Sequence, residues 1–92
     1  MSLKKFYDSE LHRKIILFFI ENPASVDSPR GIATWVGYSR QETKTALDEL
    51  VGIGILDSIE APSTAGYSLT KDENTIKQIR EFLRQESKGS QP

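Results

Sequence analysis

Apolar residues fall along this chain in four clusters with helical spacing and one region with strand-like alternation. Leu11, Ile15, Ile16, Phe19 and Ile20 recur three and four residues apart, the repeat of one helix face. Asp8 or Ser9 stands in front of them, offering a side-chain oxygen to the free N–H groups of a first turn. Leu17 and Phe18 lie outside the stripe, so this helix is apolar nearly all round after residue 14 and needs cover on two sides. Asn22-Pro23 ends it, because a residue before proline is pushed out of the helical region. Residues 24–28 read as a loop. Asp27 or Ser28 then caps a short second helix with Pro29 at its first position, Ile32, Ala33 and Val36 as its stripe, and Gly37 as a left-handed stop.

Ser39-Arg40-Gln41-Glu42 has the form of a capping box and opens a third helix. Thr43, Ala46, Leu47, Leu50 and Val51 share one face of it, and Gly52 and Gly54 stop it. Ile55, Leu56 and Ile59 predict a strand, Ala61 to Gly66 a turn-rich tip, and Tyr67-Ser68-Leu69 the return strand. Thr70-Lys71-Asp72-Glu73 is a second capping box, leading a fourth helix that carries Ile76, Ile79, Phe82 and Leu83. Residues 1–7 read as a lead-in. From Gln85 onward no apolar residue appears. The pattern therefore predicts one domain over residues 1–84 and a disordered tail over 85–92.

Composition narrows the chemistry. The 92 residues contain no cysteine, which excludes a disulfide scaffold, a thiol nucleophile and any cysteine-based zinc site. One histidine, His12, argues against a His-based triad or a metal centre, and it reads as a surface residue in the first turn. Asp48-Glu49 and Asp72-Glu73 are neighbours on helices that point in different directions, so neither pair suits acid–base work. Gly52-x-Gly54 follows a helix, whereas a dinucleotide loop follows a strand. We expect no enzyme activity, no cofactor and no metal. Residues 15–20 are strongly apolar, but a membrane span needs about 20 residues. Glu21, Asn22 and Pro23 close the run with no small-residue cleavage site after it. The expected setting is the cytoplasm of a prokaryote-like cell, without a membrane partner. Twelve basic residues against thirteen acidic ones give a net charge of −1. A dedicated non-specific nucleic-acid binder is strongly basic, so any DNA contact here must rest on local charge.

The second and third helices are joined through Gly37-Tyr38, a tight glycine-containing connection of the helix-turn-helix kind. Residues 31–39 match the segment x-Leu-Ala-x-x-Leu-Gly-x-Ser, with Ile32, Ala33, Val36, Gly37 and Ser39 in those roles. Ser39, Thr43, Leu47, Leu50 and Gly54-Ile55-Leu56 follow the pattern of the next helix, and Tyr67-Ser68-Leu69-Thr70 that of the return strand. On these residues the chain resembles the winged-helix (winged helix-turn-helix) domains of small prokaryotic transcription regulators, over residues 9–83. The resemblance implies an α+β, mostly α fold: a three-helix core, a two-stranded β-hairpin wing and a C-terminal helix.

It also implies a function. In that family the third helix enters the major groove, which admits an α-helix. With Ala46, Leu47 and Leu50 turned to the core, Arg40, Gln41, Lys44 and Thr45 face outward, as residue types that can read base edges or hold phosphates. Ser39 and the helix N-terminus can hold a phosphate, with Arg30, Lys4 and Lys5 as further basic help. The tip lacks Lys and Arg, leaving Ser63 and Thr64 for the backbone, while Asp57 and Glu60 would repel it. Leu17, Phe18, Ile76, Ile79, Phe82 and Leu83 form an apolar surplus. Either a homodimer covers it, as when family members pair through their terminal helices, or the fourth helix folds back over the first. Trp35 is either a partly buried core aromatic or an exposed anchor for a protein partner. The expected function is thus a DNA-binding transcription regulator on double-stranded DNA. The competing reading is a winged-helix protein-interaction module without DNA binding.

Overall fold

The computed structural model describes residues 3–60 and 65–89. Its elements run α1 (Leu3–Tyr7), α2 (Glu10–Glu21), β1 (Val26–Asp27), α3 (Pro29–Val36), α4 (Arg40–Gly52), β2 (Leu56–Glu60), β3 (Ala65–Leu69) and α5 (Glu73–Gly89). The four helices expected from the pattern are α2 to α5.

Each start has a local chemical cause. The Ser9 hydroxyl accepts from His12 N–H and opens α2, and Ser28 accepts from Gly31 N–H with Pro29 at the head of α3. Gly37 closes α3 with φ of 80°, a left-handed conformation that costs glycine nothing. Ser39 accepts from Glu42 N–H at 3.0 Å, and its hydroxyl donates to Glu42 Oε1 at 2.9 Å. For α5 the cap is Asp72 rather than Thr70: its carboxylate accepts from Thr75 N–H, while the Thr70 hydroxyl accepts from Asp72 N–H.

Two elements exceed the expectation. The lead-in forms α1, because Leu3, Phe6 and Tyr7 repeat at helical spacing; Leu3 is buried and Phe6 packs on the core. The loop after α2 contributes β1, which pairs antiparallel with β3 (Val26 opposite Ser68, Asp27 opposite Tyr67). The hairpin is therefore part of a three-stranded sheet in the order β1-β3-β2. The hairpin strands β2 and β3 pair from Leu56 opposite Leu69 to Glu60 opposite Ala65, so four residues, 61–64, separate them. The last helix, α5, continues through Gly89, past residue 84. Its polar end has helix-stabilising partners: Arg84 on Glu81, and Glu86 reached by Lys4 of α1.

The core gathers Ile15, Ile16 and Phe19 of α2, Ile32 and Val36 of α3, Leu47 and Leu50 of α4, Tyr67 and Leu69 of β3, and Ile79 of α5. Among the described residues, Thr43 and Thr70 are polar and buried beside it. Thr43 is fully buried, and its Oγ1 has no hydrogen-bond partner among the described residues. A buried hydroxyl without a partner carries its desolvation cost uncompensated. Thr43→Val keeps the branched shape and removes the hydroxyl, and we expect it to raise stability by about 1 kcal/mol. A urea midpoint unchanged or lowered in the variant would show that the hydroxyl finds a partner in solution.

Candidate nucleic-acid interface

The α3–α4 pair sets the geometry of the exposed surface. Gly37, Tyr38 and Ser39 form the whole connection between the two helices. Tyr38 is also tied to α2, through Glu10. The Lys14 ammonium and then the Tyr38 hydroxyl hold the Glu10 carboxyl below its ordinary value, while burial and Glu10 push Tyr38 up.

On α4, Thr43, Ala46, Leu47 and Leu50 are buried, and Arg40, Gln41, Lys44, Thr45, Asp48 and Glu49 are exposed on the opposite side. Arg40 and Gln41 are exposed with no side-chain partner among the described residues. Thr45 turns its hydroxyl to Gln41 O at 3.1 Å. Lys44 is engaged: its Nζ donates to Asp48 Oδ2 at 2.8 Å. The other carboxylate oxygen, Oδ1, accepts from the Tyr67 hydroxyl at 2.5 Å. Tyr67 is only 2% exposed, so a core residue of the sheet reaches up to the exposed face of α4. Burial would raise the Asp48 pKa, but the Lys44 and Tyr67 hydrogen bonds outweigh it and hold the carboxyl below its ordinary value. Burial first, then Asp48, pushes the Tyr67 hydroxyl up; the hydrogen bond to Asp48 does the same for Lys44.

The remaining expected residues are scattered. Arg30 is exposed on the first turn of α3, and Ser39 is exposed at the head of α4. Ser63 and Thr64 lie outside the described residues. Lys4 is taken up by Asp8 and Glu86, and Lys5 lies over the Phe6 ring. Asp57 and Glu60 are exposed on β2.

Several expectations need correction. His12 is no plain surface residue. Its Nδ1 pairs with Ser9 Oγ at 2.7 Å and its Nε2 with Glu49 Oε1 at 2.9 Å, joining the head of α2 to α4. Within the apolar surplus, Phe18 and Ile79 are buried in the chain's own core. Phe18 is covered by Phe19 and by the edge of Trp35. Leu17, Ile76, Phe82 and Leu83 remain half-buried. Trp35 takes the exposed alternative, with 63% of its surface accessible.

Among the described residues no group of three or more His, Cys, Asp or Glu side chains is placed to hold a metal ion. No described helix is long and apolar enough to cross a membrane.

No protein-family model matches the sequence, and no curated protein matches it. Solved structures do match. AntR, an antimony-specific transcriptional repressor, aligns with a TM-score of 0.71 at 16% identity, over 98% of this chain and 78% of the repressor. HlyU from Vibrio cholerae aligns at 0.69 and 17% identity, over 89% and 85% of the two chains. The homodimeric winged helix-turn-helix DNA-binding domain of Mb0332 from Mycobacterium bovis aligns at 0.68 and 10% identity, over 89% and 80%.

The fold is a winged helix-turn-helix. In this winged helix α3 and α4 are the helix-turn-helix, β2 and β3 the wing, and β1 a third strand beside it. The tie from Tyr67 to Asp48 joins the wing of the winged helix to α4, and the sequence reading missed it. One half was visible, since Asp48 follows Lys44 by four residues and pairs on a helix at that spacing meet. The other half needed the sheet register, which brings Tyr67 beneath α4.

Proposed function

We propose that this chain is a DNA-binding transcription regulator that acts as a homodimer, with the N-terminal half of α4 in the major groove. The observation that carries the reading is the pair Arg40 and Gln41, exposed and without side-chain partners among the described residues, at the head of a helix joined to α3 by a three-residue turn. Arg forks onto guanine O6 and N7, and Gln onto adenine N6 and N7. Ser39, Thr45 and Arg30 flank them as phosphate contacts, and Lys44 joins them once released from Asp48. Ser63 and Thr64 complete the proposed contacts from the wing tip.

Homodimer formation draws support from the Mb0332 domain, which is homodimeric and DNA-binding. The surface proposed for it is the half-buried set Leu17, Ile76, Phe82 and Leu83; Phe18 and Ile79 drop out because the chain buries them itself. Two copies would offer two α4 helices to half-sites about one helical turn apart, on the order of 34 Å. The protein acts in the cytoplasm and catalyses no reaction in this reading. A single observation favours the second reading, a protein-interaction module: Trp35 is exposed, and tryptophan is enriched at interface hot spots.

Fluorescence anisotropy with labelled duplexes, including the DNA upstream of its own coding sequence, tests the proposal. We expect binding that weakens with salt at a slope of about −0.9 per phosphate neutralised, by a species with twice the mass of one chain. Failure to bind any duplex at low salt would overturn the regulator reading in favour of the interaction module.

A further inference from the structure

Asp48 occupies an odd place for an acidic residue. It lies four residues after Lys44, three after Thr45 and seven after Gln41, so it belongs to the same exposed strip of α4. A free carboxylate there would repel phosphates, and a flexible one would simply swing aside. This one is fixed. Its Oδ1 takes the hydroxyl proton donor of Tyr67, whose ring is locked in the core, and its Oδ2 takes the Lys44 ammonium. An exposed Lys–Asp pair on its own adds little, but a pinned acceptor spares the lysine half of the ordering cost.

We propose that Asp48 is a specificity-determining residue of the DNA-binding face: held by Tyr67, it keeps the Lys44 ammonium on the protein in complexes with random-sequence DNA, and yields it to a phosphate only where the base contacts of Arg40 and Gln41 hold α4 in place. This rests on the DNA-binding reading above. Binding to an arbitrary duplex then lacks one cationic contact, the carboxylate's own charge being offset by the ammonium it holds. Base contacts through Arg40 and Gln41 carry a correspondingly larger share of the affinity. With Arg40 and Lys44 set against Glu42, Asp48 and Glu49 on α4, the scarce positive charge of this helix becomes a device for discrimination.

The test titrates a random-sequence duplex pool, and a duplex selected from it by the wild-type protein, with wild type, Asp48→Asn, Lys44→Ala and the double variant. Asp48→Asn is expected to bind the random pool about 5–10-fold more tightly, with a salt slope steeper by about one. Its preference for the selected duplex should fall by a similar factor. Lys44→Ala should weaken binding to the selected duplex more than to the pool, and adding it to Asp48→Asn should remove most of the gain on the pool, because the effect passes through one pair. Tyr67→Phe, which keeps the carboxylate but frees it, should move the same way by a smaller factor, and serves if Asp48→Asn folds poorly. Wild-type binding with Asp48→Asn unchanged, or a gain that persists without Lys44, overturns the proposal and leaves the regulator reading intact. No binding by any of these proteins overturns both.

Discussion

Ile79→Ala is expected to lower the stability of the chain by about 2–5 kcal/mol, the cost of emptying a buried isoleucine site. A chain of 92 residues has a total stability of about 5–14 kcal/mol, so this one change removes a large part of it. The magnitude follows from how α5 is attached. Ile79 is the fully buried residue of that helix, while Ile76, Phe82 and Leu83 are only half-buried. The other ties are weaker: the Phe82 ring meets the edge of Tyr7 at 5.3 Å, and Lys4 reaches Glu86 at 3.4 Å in an exposed pair. Exposed pairs contribute about 0–1 kcal/mol, so they cannot replace the lost burial. Urea denaturation followed by ellipticity and by Trp35 fluorescence reads the result twice. Trp35 reports the α2–α3 body through Phe18, and ellipticity reports α5 as well. Ile79→Val should cost only about 0.5–1.5 kcal/mol. A loss below about 1 kcal/mol for Ile79→Ala would mean that α5 is held by other contacts.

Arg40→Ala is expected to weaken binding to the selected duplex by about 1–3 kcal/mol, or about 5- to 150-fold. The residue heads α4, exposed and free of intramolecular partners among the described residues, so no ion pair must be broken before it reads a base. Arg40→Lys should recover little, because an ammonium cannot fork onto two acceptors. Arg30→Ala should weaken the selected and random duplexes alike, as a phosphate contact does. An equal, small loss on both duplexes for Arg40→Ala would reassign Arg40 to the backbone and leave base reading to Gln41.

The helix-turn-helix was legible because each boundary is set by residues that act locally. Ser9, Ser28, Pro29, Gly37 and Ser39 do their work within four positions of themselves, and the apolar stripes between them are regular. Residues 1–7 hid a helix because a single turn offers only Leu3, Phe6 and Tyr7 to show its period. β1 was illegible for a different reason: two residues have no period at all, and Val26 and Asp27 are a strand only because β3 lies beside them. The interface divided in the same way. Which residues of α4 face outward follows from the spacing of Thr43, Leu47 and Leu50. That His12 spans to Glu49, and Tyr67 to Asp48, joins residues 37 and 19 apart, and no local rule contains such distances.

The brevity of β1 bears on how copies of this chain meet one another. An open sheet presents rows of unpaired N–H and C=O groups at its edges, and these recruit strands from other molecules into aggregates. Here the β3 side of the hairpin is covered at Tyr67 and Ser68 by β1, itself only two residues long. The opposite edge, β2, carries Asp57 and Glu60, whose like charges set two such edges against each other. The sheet can therefore expose Val26 and Ile59 on either side of Gly66 without becoming a long template for strand-to-strand growth.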